Sequence, residues 1–429
     1  MVSSRMRQSR VGAGLVVAGT VLLGANLIVR GGRDAAVDAA GGIAAQVAGE
    51  TRPGIEVLLA DSIHLVEGLR AGLVTNHTGV DRQGVSTIDL LHGDGRVELV
   101  ALYSPEHGIR GEAEAGELVD SGTDPRTGLP VHSLYGATRK PTPEMLEGVE
   151  VLLFDIQDIG ARYYTYVYTM ALAMEAAGEA GIPFVVLDRP NPIGGVEVQG
   201  NVLEPAFASF VGMYPIPMRH GMTPGELARL FQGEFGVEAE LRVAPLSGWS
   251  RGNWFPDTGL PWVAPSPNMP SVESARHYPG TCLFEGTNLS VGRGTPIAFQ
   301  QIGAPWLDGE ALAANLNGYG LAAVRFEAVR FVPESPGDGK HGGVEVEGVR
   351  LVASEPGYDP TEAAVAALIE AAALAGDQWE WREAAFDRLA GTDRLRLAVE
   401  AGASLQEVRA AWQPDLDGFL QVRERYLLY

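Results

Sequence analysis

From residue 53 onward, short and nearly continuous apolar runs alternate with stretches of helical period. "GLRAGLVTNHTGV" (68–80) contains a short strand ending near Thr75, a helical stretch around Ser86–Leu91 follows, and Val97–Tyr103 reads as the next strand. Helix-like "PTPEMLEG" (141–148) precedes the strand-like "VEVLLFDI" (149–156). "YVYTMALAMEAAGEAG" (166–181) has an amphipathic helical period with Gly181 as its stop signal, and "IPFVVLDR" (182–189) is again strand-like. "TPGELARLFQGEFG" (223–236) opens like an N-cap with a capping-box glutamate, before a further strand in "AELRVAPL" (239–246). Apolar strands separated by helices indicate parallel βαβ units buried on both faces. The expectation is an α/β protein with a doubly wound, Rossmann-like parallel sheet.

The pattern changes near residue 250. "GWSRGNWFPDTGLPWVAPSPNMPS" is rich in Pro, Trp and Gly and reads as an irregular connection lining a cleft. Beyond it "TPIAFQQIG", "AAVRFEAVRFVP" and "GGVEVEGVRLVAS" look like strands, and two or three helices follow from Thr361. This divides the chain into a Rossmann-like catalytic domain over 53–268 and a smaller C-terminal α/β auxiliary domain over 269–429, with a cleft between them. The N-terminus differs from both. Arg5, Arg7 and Arg10 precede the uncharged, mostly apolar run Val11–Val29, which Arg30 closes. That is the pattern of an export signal or a single membrane anchor over 1–30. "LLGAN" (22–26) carries Asn26 where a lipoprotein box has its lipid-bearing cysteine, and no small-x-small site follows the run, so a retained anchor is favoured. Residues 31–52, rich in Ala and Gly, read as a linker. The chain is expected to be exported, to the periplasm or the exterior.

Composition then removes several function classes. A formal charge of −22 argues against a nucleic-acid partner, which requires clustered Lys and Arg. The one cysteine, Cys282, excludes an internal disulfide and any multi-cysteine metal site. The eight histidines are scattered without metal-ligand spacing. No G-x-G-x-x-G follows the first strand, and there is no P-loop or G-x-S-x-G elbow at a strand end.

The candidate chemistry gathers on one rim. Four strands end in polar clusters: Thr75, Asn76, His77 and Thr78; Ser104, Glu106 and His107, with Arg110 beyond; Asp155, Gln157, Asp158, Arg162, Tyr163 and Tyr164; and Asp188, Arg189 and Asn191. Ligands of open parallel sheets bind outside the carboxyl ends of the strands. Structural roles compete for each residue. Asn76 and Thr78 suit a turn, Asp155 and Asp188 suit pairing with Arg162 or Arg189, and some of the tyrosines must be core. Glu106, held between Pro105 and Gly108, is hardest to read as structural, whereas His107 either orients it or shapes the loop. A carboxyl acid/base among Asn, Arg, His and aromatic side chains suits carbohydrate.

"GLVTNHTGV", "LYSPEHGIRG", "LPVHSLYG", "DIQDIGARYYTY", "LDRPNPIGG", "PMRHGMTPGELA", "SPNMPS", "YPGTCLFEGTNLSVGRGT" and the terminal "YLLY" together resemble the NamZ-like exo-β-N-acetylmuramidases, bacterial peptidoglycan hexosaminidases. The resemblance runs from about residue 56 to the end. It implies release of N-acetylmuramic acid from non-reducing ends of peptidoglycan fragments, without a cofactor, and it carries the family's proposed catalytic glutamate onto Glu106. Within that frame Asp155 or Asp158 is the candidate second carboxylate, with a tyrosine near Tyr164 or the substrate's own acetamido group as alternatives. Arg162, Arg189 or Arg293 is expected to hold the lactyl carboxylate. Asn76, His77, Tyr164, Asn191 and His220 join the binding set, and Glu285, Asn288 and Arg293 are expected to line the cleft from the second domain. A membrane-tethered, non-catalytic glycan-binding protein and a cell-wall esterase or amidase remain the competing readings.

Overall fold

Strands without a polar face need cover on both sides, and the computed structural model, which describes residues 50–106, 108–110, 121–354 and 357–429, shows that cover. The first half runs α1 (Gly54–Asp61), β1 (Arg70–Thr75), α2 (Thr87–Gly93), β2 (Glu98–Ser104), β3 (Gly122–Thr123), β4 (Pro130–Ser133), β5 (Val151–Asp155), α3 (Tyr166–Ala180), β6 (Pro183–Leu187), β7 (Gln199–Val202), β8 (Pro217–Arg219), α4 (Pro224–Phe235) and β9 (Glu240–Ala244). Among the described residues, seven of these strands form one sheet in the order β3-β4-β2-β1-β5-β6-β9. All neighbours are parallel except the short edge strand β3. The chain builds outward from β1 through β2 and β4, then returns to the other side of β1 with β5, β6 and β9. The strand order therefore reverses between β1 and β5, where doubly wound sheets open their binding crevice. Register brings the strand ends level there: Thr75 pairs with Asp155, and Val74 with Tyr103.

The local signals read from the sequence act as expected at both helices that carried them. Gly181 closes α3 at φ 68°, and Thr223 with Glu226 forms a reciprocal capping box on α4. Two segments differ. Residues 141–148 form turns, because the Leu146 amide is shared between the Thr142 and Pro143 carbonyls and Gly148 leaves the helical region at φ +81°. Of "TPIAFQQIG", only its last residues enter a strand, because Phe299 turns the chain at φ 66°.

The second half contains α5 (Val272–Thr281), β10 (Gln301–Ala304), α6 (Gly309–Gly318), β11 (Val324–Phe331), β12 (Val346–Ala353), α7 (Pro360–Ala375), α8 (Glu383–Ala390), α9 (Arg394–Glu400) and α10 (Leu405–Arg423). Four helices, rather than two or three, thus follow the last strand. β10, β12 and β11 make an antiparallel sheet in that order. The core beneath it, around Phe284, Val291, Phe299, Ile302, Leu368 and Phe386, continues into Ile159, Tyr163, Ile193 and Met218 from the first half. The described residues accordingly form one compact unit. The expected leader (1–30), and the linker up to residue 49, lie outside the described residues. Among the described residues, no helix is long and apolar enough to cross a membrane.

Candidate active site

The ends of β1, β2 and β5 converge beneath the irregular connection. Asn76 folds back so that its Oδ1 accepts the Thr78 amide at 2.9 Å and the Thr78 hydroxyl at 2.6 Å. His77 Nε2 lies 2.8 Å from the Ala264 carbonyl, and the Tyr166 hydroxyl donates to the Pro265 carbonyl at 2.9 Å. The Pro-rich connection therefore lies over the strand ends. Glu106 follows β2 after Pro105 and is half-buried. Its carboxylate stands beside the Tyr135 hydroxyl; burial, and then this carboxylate, push that phenol up to about 12. His107 lies outside the described residues.

Tyr164 occupies the centre. Its ring stands edge-on to Tyr166 at 5.1 Å and to Tyr278, on α5, at 5.8 Å. Burial pushes its phenol well up, the hydroxyl faces the Ser266 side chain, and the charges of Glu106, Asp158 and Arg293 all act on it. One tyrosine thus senses carboxylates from the parallel sheet and a guanidinium from the second half. Arg293 is fixed there by Glu285, whose Oε1 takes its Nε and Nη2 at 2.5 Å. Burial opposes the charge of Arg293, but Glu285 overrides it and the net shift is upward. Asp158 is buried, accepts the Gly160 amide at 2.7 Å and faces His220 Nε2 at 3.3 Å.

Other candidates are committed elsewhere. Arg189 grips Asp155 through both oxygens, at 2.5 and 3.0 Å, and spends a further N–H on the Val80 carbonyl at 2.8 Å. Thr87 adds its hydroxyl to Asp155. This buried pair stitches strand ends together, so Asp155 and Arg189 are engaged with each other rather than facing Tyr164. Arg162 is also displaced from its expected role. It is fully buried and donates to the carbonyls of Asn201, Ile216, Leu389 and Ala390 at 2.8–3.1 Å. Asn191 uses both ends of its amide on Met222 and Ile193, and the Asn288 amide donates to the Gln378 carbonyl. The Asn288 Oδ1 is buried and has no hydrogen-bond partner among the described residues.

Sequence reasoning missed Tyr135, Tyr278 and Lys340. The two tyrosines stand inside the family-like segments "LPVHSLYG" and "YPGTCLFEGTNLSVGRGT". Lys340 had a different signal, being one of two lysines in the whole chain, with Lys140.

A carboxyl-bearing, tyrosine-walled site at the switch point of a parallel sheet without a nucleotide fingerprint suits a carbohydrate-cleaving α/β enzyme, and family membership makes that class glycoside hydrolase. The chain belongs to the exo-β-N-acetylmuramidase NamZ family, whose N-terminal region matches residues 71–273 and whose C-terminal region matches residues 276–429. It is 47% identical over 382 residues to the peptidoglycan β-N-acetylmuramidase NamZ of Bacillus subtilis (strain 168), covering 89% of this chain and 92% of that protein. Two crystal structures of DUF1343 family proteins from Bacteroides fragilis NCTC 9343 share the architecture. One superposes with a TM-score of 0.83 at 40% identity, and the other with 0.72 at 31%; each alignment covers 89% of this chain and 99% of the other.

Proposed function

We propose that this enzyme removes N-acetylmuramic acid from the non-reducing ends of peptidoglycan fragments, with Glu106 as the general acid that protonates the leaving oxygen. The substrate class is supported by the activity of the Bacillus subtilis relative, a peptidoglycan β-N-acetylmuramidase. The observation carrying the residue assignment is position: Glu106 leaves β2 beside the switch point, next to Tyr135 and within the field felt by Tyr164. Proton donation to a glycosidic oxygen needs such a carboxyl at the sugar, and a positioned acid contributes about 10²–10⁴-fold. Glu106→Gln is expected to abolish turnover of disaccharide muropeptide fragments while leaving the fold intact. Free N-acetylmuramic acid appearing at a near-normal rate would reject the assignment.

Arg293 is the guanidinium that recognises the lactyl carboxylate. Arg162 and Arg189 are spent on carbonyls and Asp155, whereas Arg293 stands beside Tyr164 and Tyr278. Guanidinium pairs with carboxylate bidentately, so a chromogenic N-acetylmuramide should be cleaved and the matching glucosaminide spared. Equal rates would count against the role. The Arg-flanked apolar segment 11–29 supports export with the leader retained; fractionating cells that express the chain with and without residues 1–30 checks it.

A further inference from the structure

Lys340 lies in the connection between β11 and β12, only 4% exposed. Its Nζ donates to the carbonyls of Phe284 at 2.8 Å, Glu285 at 3.1 Å and Leu289 at 3.0 Å. An ammonium has three N–H donors, so these carbonyls use all of them. A planar guanidinium cannot converge three donors on one point. That explains a lysine in a chain whose other basic residues, Lys140 apart, are arginines. The same connection holds the segment twice more. His341 Nε2 lies 2.8 Å from the Asn288 carbonyl, and the Glu334 amide donates to the Gly294 carbonyl at 3.1 Å. Gly294 sits at φ +76°, and a Cβ there would come 2.3 Å from the Glu334 oxygen. Residues 284–294, which carry Glu285 and Arg293, are thereby clasped at both ends.

We infer that Lys340 is a positioning residue for substrate recognition: its ammonium sets the 284–289 turn so that Glu285 aims Arg293 at the carboxylate of the bound sugar. The inference rests on the reading of Arg293 given above. Burial draws the Lys340 ammonium down to about 8, with Arg293 and Arg382 adding to the effect and Asp338 and Glu285 opposing it. Asp338 Oδ2 stands 3.9 Å from the Nζ. Once deprotonated, the amine keeps two donors and turns a lone pair toward a carbonyl, which loosens the turn.

The test is steady-state kinetics of the full chain on a chromogenic N-acetyl-β-muramide from about pH 7 to about pH 10, bracketing the Lys340 transition. KM should rise about tenfold across the range, the loss of roughly one charge-assisted hydrogen bond, with kcat following its own profile. Lys340→Met should show the raised KM already at neutral pH and no further rise, while Arg293→Gln should raise KM and erase the preference over the glucosaminide. A wild-type KM flat in pH overturns the inference, and it decides the matter alone if the Met variant does not fold. Wild-type KM in Lys340→Met beside a raised KM in Arg293→Gln also overturns it, leaving the Arg293 reading intact. An unchanged preference in Arg293→Gln brings down both.

Discussion

His220 Nε2 lies 3.3 Å from Asp158 Oδ2, and both side chains are shut off from solvent. The Met222 amide donates to His220 Nδ1 at 3.2 Å, which places the imidazole proton on Nε2, toward the carboxylate. Asp158 Oδ2 also takes the Gly160 amide, while Oδ1 is buried with no hydrogen-bond partner among the described residues. A buried carboxylate oxygen without a donor is unfavourable by about 1–3 kcal/mol or more, and a sugar N–H or hydroxyl would relieve it.

We propose that Asp158, rather than Asp155, is the second carboxylate of the reaction. Asp158→Asn should lower kcat by about 100-fold or more with little change in unfolding temperature. Following the product anomer by NMR would then separate retention from inversion. A variant with wild-type kcat would return Asp158 to a structural role.

Tyr135 stands beside Glu106 at the neighbouring strand's exit. Its amide is bonded to Ser133 Oγ at 3.2 Å, and the Arg139 guanidinium lies 5.9 Å from its ring centroid. Removing the hydroxyl leaves the ring in place and the carboxyl without that donor. Tyr135→Phe should reduce kcat about tenfold, the value of one hydrogen bond to a charged group, and leave KM near the wild-type value. A drop in KM-controlled binding with unchanged kcat would contradict an orienting role.

The parallel sheet was legible because β5 and its neighbours are apolar along their length, so period and flanking caps sufficed. The strand-end rim was legible for the same reason, since Glu106 and Asp158 stand immediately after apolar runs. The roles of the arginines were not. Nothing near Arg162 in sequence announces Leu389 and Ala390, more than two hundred residues away, and a guanidinium saturated by carbonyls has the same local sequence as one waiting for a ligand. The scarcity of lysine marks Lys340, but its role was hidden in the same way, because its three acceptors are backbone atoms of a distant turn. Residues 141–148 misled through composition: Pro, Glu, Met and Leu suit a helix, yet the glycine and the shared amide stop it at turns.

Arg162 ties the two halves together through four carbonyls, two from the β7–β8 region and two from the end of α8. Burial lowers its pKa, and its guanidinium shares two of these acceptors, since the Ile216 carbonyl also takes the Leu203 amide and the Ala390 carbonyl the Asn201 side-chain amide. Arg162→Met should destabilise the chain by at least about 2 kcal/mol, since each buried acceptor left without a donor is unfavourable by about 1–3 kcal/mol. Urea unfolding measures this, and the KM of the folded fraction should be unaltered. A loss below about 1 kcal/mol would mean the halves are held mainly by their shared apolar core.

Asp188 gives stability a pH dependence of unusual sign for a carboxylate. It accepts from the Arg189 amide at 2.9 Å, the Gly225 amide at 2.7 Å, the Thr223 hydroxyl at 2.8 Å and the hydroxyl of the terminal Tyr429 at 2.7 Å. Burial nevertheless pushes it from 3.8 to about 7, the hydrogen bonds pulling the other way. The folded state thus binds this proton more tightly than the unfolded chain. The resulting contribution is fully present below the unfolded value of 3.8 and is lost as pH rises through about 7. Its full size is at most about 4 kcal/mol. Urea unfolding of wild type and Asp188→Asn at about pH 5 and about pH 8 isolates it. The stability of the wild type relative to the variant should fall between the two conditions by a few kcal/mol, on the order of the linkage term. A gap between wild type and variant that stays constant, or widens toward the higher pH, would show that the four donors hold Asp188 ionised throughout and that the C-terminal Tyr429 docks on a charged group.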